Sequence, residues 1–416
     1  MRASATLLLA SAGLVMRAEP VLVKPSVPIR GWNSFDFGDG SERPYNTPDV
    51  PTLLSLTKAV KHNLKPFGYE YFTVDGGWFD AATPGLPTNS SVPTVDRWGR
   101  PAPKPDLYPE LQGGKGWKPV ADAAHAVGLK FGLRWILGVP TEAAARKLPI
   151  KGSQYSCDEI VRHTSDGSDW GACMWDHSTF RTNFSHPGTL DYFKSIVSLW
   201  EEWGVDLIKL DCTYSGGNLG QPSSPAAIDT FSSLINASSR PIVLSLSPGN
   251  NDPNLLKQTS SLLTMARITT DFHPNWPAVK ASFVVAAAAA PIAHANNVLA
   301  DLDCLAFGDM NGRTENTQDE WRRTRRTIMA LWTISRSPLI FGGDPRSLWS
   351  ANASAASRGY SCPAPDNITF HCGLHDDVRQ LITNRAVLNA SSDDVLAPAQ
   401  LKTEGDTIVW TAGSVS

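Results

Sequence analysis

The sequence predicts an α/β fold, a (β/α)8 TIM barrel followed by an incomplete C-terminal β domain. The chain has 416 residues and a hydrophobic fraction of 42%, enough for one large domain and part of a second. Eight short apolar runs alternate with segments of helical periodicity, which is typical of a parallel sheet with crossover helices. No glycine-rich dinucleotide or phosphate motif follows the first run. Eight repeats therefore favour a closed barrel over an open doubly wound sheet.

The predicted strands and helices follow in order along the chain. The strands are the runs 29–34, 69–75, 129–135, 205–211, 241–247, 266–271, 298–303 and 338–343. The helices between them are 53–64, 117–127, 190–203, 226–235, 254–263, 277–290 and 320–335. Long inserts follow the second and third strands. We assign 19–345 to the barrel.

Residues 346–416 are predicted to form a linker and the truncated start of a small β domain. A helix-like segment covers 377–388, and 400–412 alternates as strands do. Because a lone hairpin is marginal in water, we expect this tail either to pack on the barrel or to fray.

Charge and N-terminal pattern indicate the partners and the compartment. The net charge of −3 without a basic block argues against a nucleic-acid partner. Residues 1–18 have the cationic start and apolar stretch of a secretory signal peptide; a buried N-terminal helix is the alternative. The stretch 284–293 is too short to cross a bilayer and contains a proline. We expect a secreted, extracellular protein without a membrane span.

Six Asn-x-Ser/Thr sequons agree with this route, because glycan acceptors are used in secreted chains. They begin at Asn89, Asn183, Asn236, Asn352, Asn367 and Asn389. Such sequons also arise by chance in a sequence rich in serine, so they support the route without proving it.

The six cysteines form no CxxC pair and have no histidine partners at zinc spacing, so disulfides are expected rather than a metal site. Cys362 and Cys372 are the clearest candidate bridge. Three others compete for a second one, with the pairing open: Cys157, Cys173 and Cys212. Cys304 is equally compatible with a buried free thiol. The nine histidines show no ligand spacing, so no metal or other cofactor is expected.

Four apolar runs end in an aspartate, at the end of a barrel where active sites lie. These acids are Asp75, Asp211, Asp271 and Asp303. Any one of them alone is readily explained as a helix cap or a loop acid. Four such acids on one rim favour a functional site.

Strand alternation places Lys209 and Asp211 on the same face of the fourth predicted strand. It likewise places Arg267 and Asp271 on the same face of the sixth. We expect the Lys209 ammonium to lower the pKa of Asp211 and keep it ionised, as a nucleophile requires. We expect aromatic cover from 272–276 to raise the pKa of Asp271 toward that of an acid catalyst. Two carboxylates in different environments can cleave a glycoside. The alternative for Lys209 and Asp211 is a structural ion pair.

Seven motifs resemble the strand ends of the melibiase-type α-galactosidase family and occur in that family's order. They are Gly31-Trp32-Asn33-Ser34-Phe35, Val74-Asp75-Gly76-Gly77-Trp78, Lys130-Phe131-Gly132-Leu133, Lys209-Leu210-Asp211-Cys212, Arg267-Ile268-Thr269-Thr270-Asp271, Asp301-Leu302-Asp303 and Ser337-Pro338-Leu339. The tryptophan-rich spacing is most similar to the branch that includes β-L-arabinopyranosidase-like proteins.

The resemblance implies retaining hydrolysis of a terminal galactose-configured residue in an oligosaccharide or glycoconjugate. Asp211 matches the family's nucleophile, and Asp271 matches the general acid that later acts as base. Three residues match positions that hydrogen-bond sugar hydroxyls: Asp75, Lys209 and Arg267. Trp32 matches an apolar platform for the sugar, and Asp303 matches a supporting position.

The chain departs from the family pattern at three places. Gly76 stands where the α-galactosidases carry a second aspartate, and Arg134 replaces a tyrosine on the third strand, still directed at the rim by its parity with Gly132. The fifth strand ends in 244–248 with only hydroxyls, where the family has a cysteine and an acid. We therefore expect Arg134 to contact substrate and the sugar preference to differ from that of an α-galactosidase.

Two other functions fit parts of this pattern. The lost recognition groups are compatible with a non-catalytic, sugar-binding barrel. Lys209 could also form a Schiff base in an aldolase-like barrel, although a paired carboxylate would keep that lysine charged. Retaining exo-glycosidase activity is the function that the pattern favours.

Overall fold

The structure, a computed structural model, describes residues 23, 27–37, 48–79, 92–163, 178–213, 225–247, 253–308, 318–348, 361–363, 369–371, 376–392, 400–404 and 407–411. Its strands are β1 (Arg30–Asn33), β2 (Tyr71–Val74), β3 (Lys130–Ile136), β4 (Val139–Pro140), β5 (Thr179–Phe180), β6 (Leu207–Asp211), β7 (Val243–Ser247), β8 (Met265–Arg267), β9 (Leu299–Asp301), β10 (Leu339–Phe341), β11 (Ser361–Pro363), β12 (Thr369–His371), β13 (Gln400–Glu404) and β14 (Thr407–Thr411). Its helices are α1 (Val50–Asn63), α2 (Lys118–Ala126), α3 (Thr141–Ala145), α4 (Pro187–Trp203), α5 (Pro225–Asn236), α6 (Pro253–Thr259), α7 (Trp276–Asn296), α8 (Gln318–Ile334), α9 (Asp376–Ile382) and α10 (Arg385–Ser392).

Eight parallel strands form one sheet in the order β10, β1, β2, β3, β6, β7, β8, β9. The two end strands meet beyond their ladders, where Leu305 and Phe341 form a parallel bridge. The Leu305 N–H donates to the Ile340 carbonyl at 2.6 Å, and the Gly342 N–H donates to the Leu305 carbonyl at 3.1 Å. These bonds close the sheet into the predicted (β/α)8 barrel.

Local sequence signals set the ends of the crossover helices. The Asp49 carboxylate accepts the Thr52 N–H at 3.0 Å and caps α1, and Asn275 caps α7 in the same way. Gly204 ends α4 with a φ of 78°, a left-handed conformation that glycine adopts without cost. Each predicted crossover helix is present, although α6 is shorter than expected and α7 continues to Asn296. The short antiparallel pair of β4 and β5, in the insert after β3, is an element that the sequence did not predict.

The heavy tryptophan content serves mainly to fill the core. Six tryptophans have essentially no exposed surface: Trp32, Trp78, Trp117, Trp135, Trp200 and Trp332. Trp78 contacts three other indoles edge-on or tilted, at centroid distances of 5.6 to 6.2 Å. Its own Nε1 donates to the Arg134 carbonyl oxygen at 2.9 Å. This aromatic cluster therefore supports β3 at the position from which Arg134 enters the barrel.

The tail contains two helices that dock at the amino-terminal end of the barrel. The Tyr69 hydroxyl donates to the Ile382 carbonyl at 2.8 Å, and Arg30 donates to the carbonyls of Phe67 and Leu388 at 3.1 and 2.5 Å. The predicted single helix at 377–388 is broken because the Asn384 side chain accepts the Ala386 N–H and starts a new helix, α10. Two antiparallel hairpins, β11–β12 and β13–β14, complete the described part of the tail.

Helix α7 is long and apolar enough, by length and composition alone, to cross a membrane. The sequence predicts no such segment, because the apolar run 284–293 is too short to cross a bilayer and contains a proline. A single helix of this kind is weak evidence for a membrane span, and α7 occupies the crossover position between β8 and β9. Only 22% of its most apolar window is buried.

Replacing Arg30 with alanine should loosen the docking of α10. The substitution removes donors to two carbonyl oxygens and to the Ser391 hydroxyl, which lies 2.9 Å away. Leaving such partly buried acceptors unpaired costs about 2 kcal/mol. We expect that loss in the free energy of unfolding, measured by urea denaturation.

The control is Lys118→Ala, which removes an exposed ion pair with Asp122. Pairs of this kind contribute less than about 0.5 kcal/mol. If the two variants lose the same stability, Arg30 does not hold the tail on the barrel.

Candidate active site

The predicted rim acids and bases converge at the carboxyl ends of neighbouring barrel strands. Arg134 on β3 and Lys209 on β6 are direct register partners. Arg134 reaches Asp211 at the end of the adjacent strand β6, and Lys209 reaches across β3 to Asp75 after β2. Ile208 and Leu210, on either side of Lys209 in β6, are buried in the hydrophobic core. The predicted alternation along β6 is therefore confirmed by these contacts.

Asp75, directly after β2, is a buried carboxylate with two cations beside it. Lys209 Nζ donates to Asp75 Oδ2 at 2.8 Å, and Arg134 Nε lies 3.6 Å from Oδ1. The Gly76 N–H donates to Oδ1 at 2.8 Å. Burial alone would raise the pKa of Asp75, but Lys209 and Arg134 outweigh it and lower that pKa to about 2. Asp75 is therefore an ionised acceptor throughout the physiological pH range.

Asp211, at the end of β6, is held by Arg134 and by its own backbone. Arg134 Nε and Nη2 lie 2.9 and 2.8 Å from Asp211 Oδ2. The Cys212 N–H donates to Oδ1 at 2.9 Å, and Cys212 has a left-handed φ of 64°. Both carboxylate oxygens thus have fixed donors, which orients the group.

Arg267, at the end of β8, joins the third and fourth rim acids. Its Nη1 donates to Asp271 Oδ1 at 2.5 Å and to Asp303 Oδ2 at 2.9 Å. Burial would lower the pKa of this guanidinium, yet the charges of Asp303, Asp271 and Asp211 raise it. The influence of Asp211 on Arg267 shows that the ends of β6 and β8 belong to one electrostatic cluster.

Two expectations about these pairs need correction. Lys209 bonds to Asp75 rather than to Asp211, whose cationic partner is Arg134. Aromatic cover does not raise the pKa of Asp271. Burial would raise that pKa, but the adjacent Arg267 guanidinium lowers it below its usual value. The Asp271 side chain is about half exposed at 55%, whereas the neighbouring Phe272 packs edge-on against Trp332 in the core.

Asp303 makes several hydrogen bonds just after β9. Its Oδ2 accepts the Phe272 N–H at 2.9 Å in addition to Arg267, and its carbonyl accepts Trp332 Nε1 at 2.8 Å. The residue has a φ of 81°, a conformation that is strained outside glycine. These bonds tie the end of β9 to the loop that carries Asp271.

Asp301 is a titratable residue near the site to which the sequence analysis assigned no role. Its Oδ1 accepts the Asp303 N–H at 2.8 Å. Burial and the nearby charge of Asp303 raise the pKa of Asp301 to about 6. It was visible in the sequence only as the first acid of the Asp301-Leu302-Asp303 motif. Alternation would have placed it on the same face as Asp303.

Trp32 does not present a platform for a sugar. Its ring is fully buried, stacks on Phe72 at 4.7 Å and donates through Nε1 to the Gly343 carbonyl at 2.9 Å. The expected platform role at Trp32 is therefore not supported by this structure. The nearby Phe35 is partly exposed instead, and Lys209 Nζ lies 5.1 Å from the centroid of its ring.

Among the cysteines whose side chains the structure describes, one is disulfide-bonded and two are free thiols. Cys212, next to Asp211, is disulfide-bonded, which agrees with the expected second bridge. Cys157 and Cys304 are buried free thiols. The expected bridge between Cys362 and Cys372 and the signal peptide at 1–18 lie outside the residues whose side chains the structure describes. In the described part of the chain no cluster of three potential metal ligands occurs.

Substituting Asp301 with asparagine should make the protein more stable at neutral pH than at acidic pH, relative to the unchanged chain. The folded pKa of about 6 lies above the value of about 3.9 in an unfolded chain. Folding therefore favours the protonated acid, and the native protein loses stability as the pH rises through this window. Asparagine cannot ionise and keeps an oxygen for the Asp303 N–H.

The stability difference between Asp301→Asn and the unchanged protein should grow by about 2 kcal/mol between about pH 4 and about pH 7.5. Urea denaturation at both pH values measures it. Asp122→Asn, at an exposed position, serves as the control and should show far less pH dependence. A constant difference for Asp301→Asn would show that this carboxyl ionises normally.

Comparisons with known proteins find similarity to glycoside hydrolases. The family model described as alpha galactosidase A matches residues 167–357. An α-N-acetylgalactosaminidase of Gallus gallus is 26% identical over 297 residues, which cover 68% of this chain and 55% of that enzyme. The chain thus spans little more than half of that relative's length.

Among solved structures, a family 27 β-L-arabinopyranosidase of Geobacillus stearothermophilus matches with a TM-score of 0.75 and 27% identity, covering 94% of this chain and 82% of that one. The α-galactosidase I of Mortierella vinacea shares the fold, with a TM-score of 0.58 and 20% identity over 94% of this chain and 79% of that one. Together with the order of the strand-end motifs, these matches show that the chain is similar to the melibiase-type α-galactosidase family of glycoside hydrolases.

Proposed function

We propose that this protein is a secreted, retaining exo-glycosidase. Its substrates are terminal galactose-configured residues, an α-D-galactoside or a β-L-arabinopyranoside, which it hydrolyses by double displacement. Asp211 acts as the nucleophile, and Asp271 acts first as general acid and then as base. Asp75, Lys209 and nearby polar groups bind the sugar hydroxyls.

One observation carries this proposal. Two aspartates end neighbouring parts of the barrel rim, on β6 and after β8, and each is bonded to its own guanidinium. Asp211 is fixed by two-point contact with Arg134 and one backbone N–H. Asp271 makes one hydrogen bond, to Arg267, and its side chain is about half exposed. A rigidly oriented carboxyl group suits nucleophilic attack, and an accessible one suits proton exchange with substrate and water.

In the first step an Asp211 oxygen forms a bond to the anomeric carbon while the bond to the leaving oxygen breaks. Asp271 donates its proton to that oxygen, so it must be protonated when the reaction begins. Arg267 opposes this in the empty site because it lowers the pKa of Asp271. Arg267 also bonds to Asp303, so it has a second carboxylate to retain it when substrate separates it from Asp271.

In the second step the ionised Asp271 accepts a proton from water, and the water oxygen attacks the anomeric carbon. The ester bond to Asp211 breaks, and the sugar leaves with its original anomeric configuration.

The proposal favours the pentoside over the galactoside. Gly76 offers no side-chain acceptor next to Asp75. β-L-arabinopyranose has the ring configuration of galactose and lacks only its hydroxymethyl group, so it needs one hydroxyl partner fewer. The similarity to the Geobacillus stearothermophilus β-L-arabinopyranosidase at 27% identity supports the same preference.

Secretion is part of the proposal and rests on residues 1–18 and the six sequons. Among these acceptors, Asn389 lies on α10 and is exposed. Expression of the full chain in a eukaryotic host should give product in the medium that lacks the N-terminal segment and shortens on endoglycosidase treatment. Retention of the full-length, unglycosylated chain inside the cells would contradict this part of the proposal.

Asp211→Asn should lower kcat on p-nitrophenyl β-L-arabinopyranoside by at least about 1000-fold, because asparagine cannot form the glycosyl ester. Asp271→Ala should lose less on this activated substrate, whose leaving group needs little protonation. Azide should restore turnover of Asp271→Ala and give a glycosyl azide of retained configuration. NMR of the products follows the stereochemistry.

Asp122→Asn, an exposed acid on α2, is the matched control and should keep full activity. Unchanged activity of Asp211→Asn would disprove the assignment of the nucleophile. Sugar binding in calorimetry without turnover of any glycoside would instead identify a non-catalytic sugar-binding barrel.

Arg267→Gln should move the basic limb of the kcat/KM profile to higher pH. Arg267 lowers the pKa of Asp271, so its removal lets Asp271 keep the catalytic proton at a higher pH. The value of kcat/KM should also fall, since Arg267 organises Asp303. Initial rates between about pH 4 and about pH 9 test this, and an unmoved basic limb would show that Arg267 does not control the acid.

A further inference from the structure

Two departures from the family pattern, Gly76 and Arg134, occupy the same place in the structure. A Cβ atom built on Gly76 would lie 2.4 Å from Arg134 Nη1 and 3.1 Å from Cζ. Real Cβ atoms essentially never approach another atom that closely. The backbone of Gly76 lies outside the left-handed region. The need for glycine therefore comes from the guanidinium and not from the backbone conformation.

The guanidinium that fills this space is nearly immobile. Its side chain is 4% exposed, and the β3 carbonyl of the same residue accepts Trp78 Nε1. Nε and Nη2 are directed to one oxygen of Asp211, and Nε also faces Asp75. A lysine could not reproduce this contact, because the guanidinium places two rigidly spaced donors on one carboxylate oxygen, whereas an ammonium is a single point charge on a flexible stem.

We propose that Arg134 is the positioning residue of the nucleophile, and that Gly76 exists to give it room, so the two residues act as one unit. This inference rests on the proposed function, because it takes Asp211 to be the nucleophile. It revises the expectation that Arg134 contacts the sugar. Arg134 acts through Asp211 and, by its proximity to Asp75, keeps the nucleophile and the sugar-binding carboxylate in a fixed relation.

The unit explains why the two changes occur together in this chain. Any side chain at 76 would push the guanidinium away from Asp211, so an acid there and an arginine at 134 compete for the same space. The reverse substitution at 134 alone would leave Asp75 and Asp211 facing each other with one cation fewer. Repulsion between the two carboxylates would then displace the nucleophile.

The test is a double-mutant cycle on p-nitrophenyl β-L-arabinopyranoside and α-D-galactoside. Gly76→Ala should lower kcat by about 10- to 100-fold with little change in KM, because a displacement of the nucleophile of about 1 Å has that cost. Arg134→Gln should show a similar loss. In the Arg134→Gln background, Gly76→Ala should cost nothing further, since the guanidinium with which it clashes is gone. Arg134→Lys should recover only part of the activity.

The pH profile distinguishes positioning from a general loss of structure. Asp75 faces Lys209 and Arg134, and both cations lower its pKa. Arg134→Gln should therefore move the acid limb of kcat/KM to higher pH. Gly76→Ala displaces the guanidinium but keeps its charge, so its shift should be smaller. Gly113→Ala is the control, because Gly113 has a φ of 73° and open space around its Cα. It should lower stability without changing kcat or the profile.

The outcomes separate the two proposals. Additive losses in the double variant, or full kcat in Arg134→Gln while Asp211→Asn remains inactive, would overturn the Gly76–Arg134 unit and leave the proposed function intact. A wild-type protein that hydrolyses neither glycoside would overturn the proposed function and, with it, the positioning role.

Discussion

Charge pairing across barrel strands organises the described part of the barrel rim. Ionisable side chains lie there at the carboxyl ends of the strands, where most of them are buried, and a buried charge is tolerated only beside an opposite one. Asp75 meets Lys209, Asp211 meets Arg134, and Asp271 shares Arg267 with Asp303. Each pair joins residues from different strands or from a strand and the loop after it. The pairs consequently fix where each carboxylate points, and chemistry at the rim depends on that orientation.

The pairing also gives the two catalytic candidates different properties. Asp211 is clamped from both sides, by a guanidinium and by the Cys212 N–H that a left-handed backbone presents. The disulfide at Cys212 ties this turn further to the chain. Asp271 is held by one contact and is half exposed. Under the proposed function, an oriented nucleophile and an accessible proton carrier suit double displacement.

Sequence reasoning predicted the barrel well because the relevant signals are local. Apolar runs, helix caps and strand alternation are read directly from neighbouring residues, and they placed Lys209 and Asp211 correctly on one face. Which carboxylate Lys209 bonds depends on the stagger between β2, β3 and β6, which no local pattern encodes. The pKa of Asp271 was expected to rise because aromatic residues follow it. In the fold Phe272 turns into the core, and Arg267, four residues earlier, lies against the carboxylate instead.

Trp32 is a second case in which a local sequence pattern did not predict the tertiary contacts of a side chain. Trp32 lies in a motif that suggested a sugar platform, yet the indole stacks on Phe72 inside the barrel wall, and the partly exposed Phe35 is the nearby aromatic ring at the rim. The space shared by Gly76 and Arg134, distant in sequence, became apparent only from the three-dimensional structure.

The most direct test of this account is the site of covalent labelling by a fluorinated β-L-arabinopyranosyl or α-D-galactosyl inactivator, located by peptide mass spectrometry of the trapped protein. The account predicts one sugar per chain, attached to the peptide that contains Asp211, and its release when a sugar acceptor is added. Label on any other carboxylate, or inactivation without a covalent adduct, would contradict the central claim.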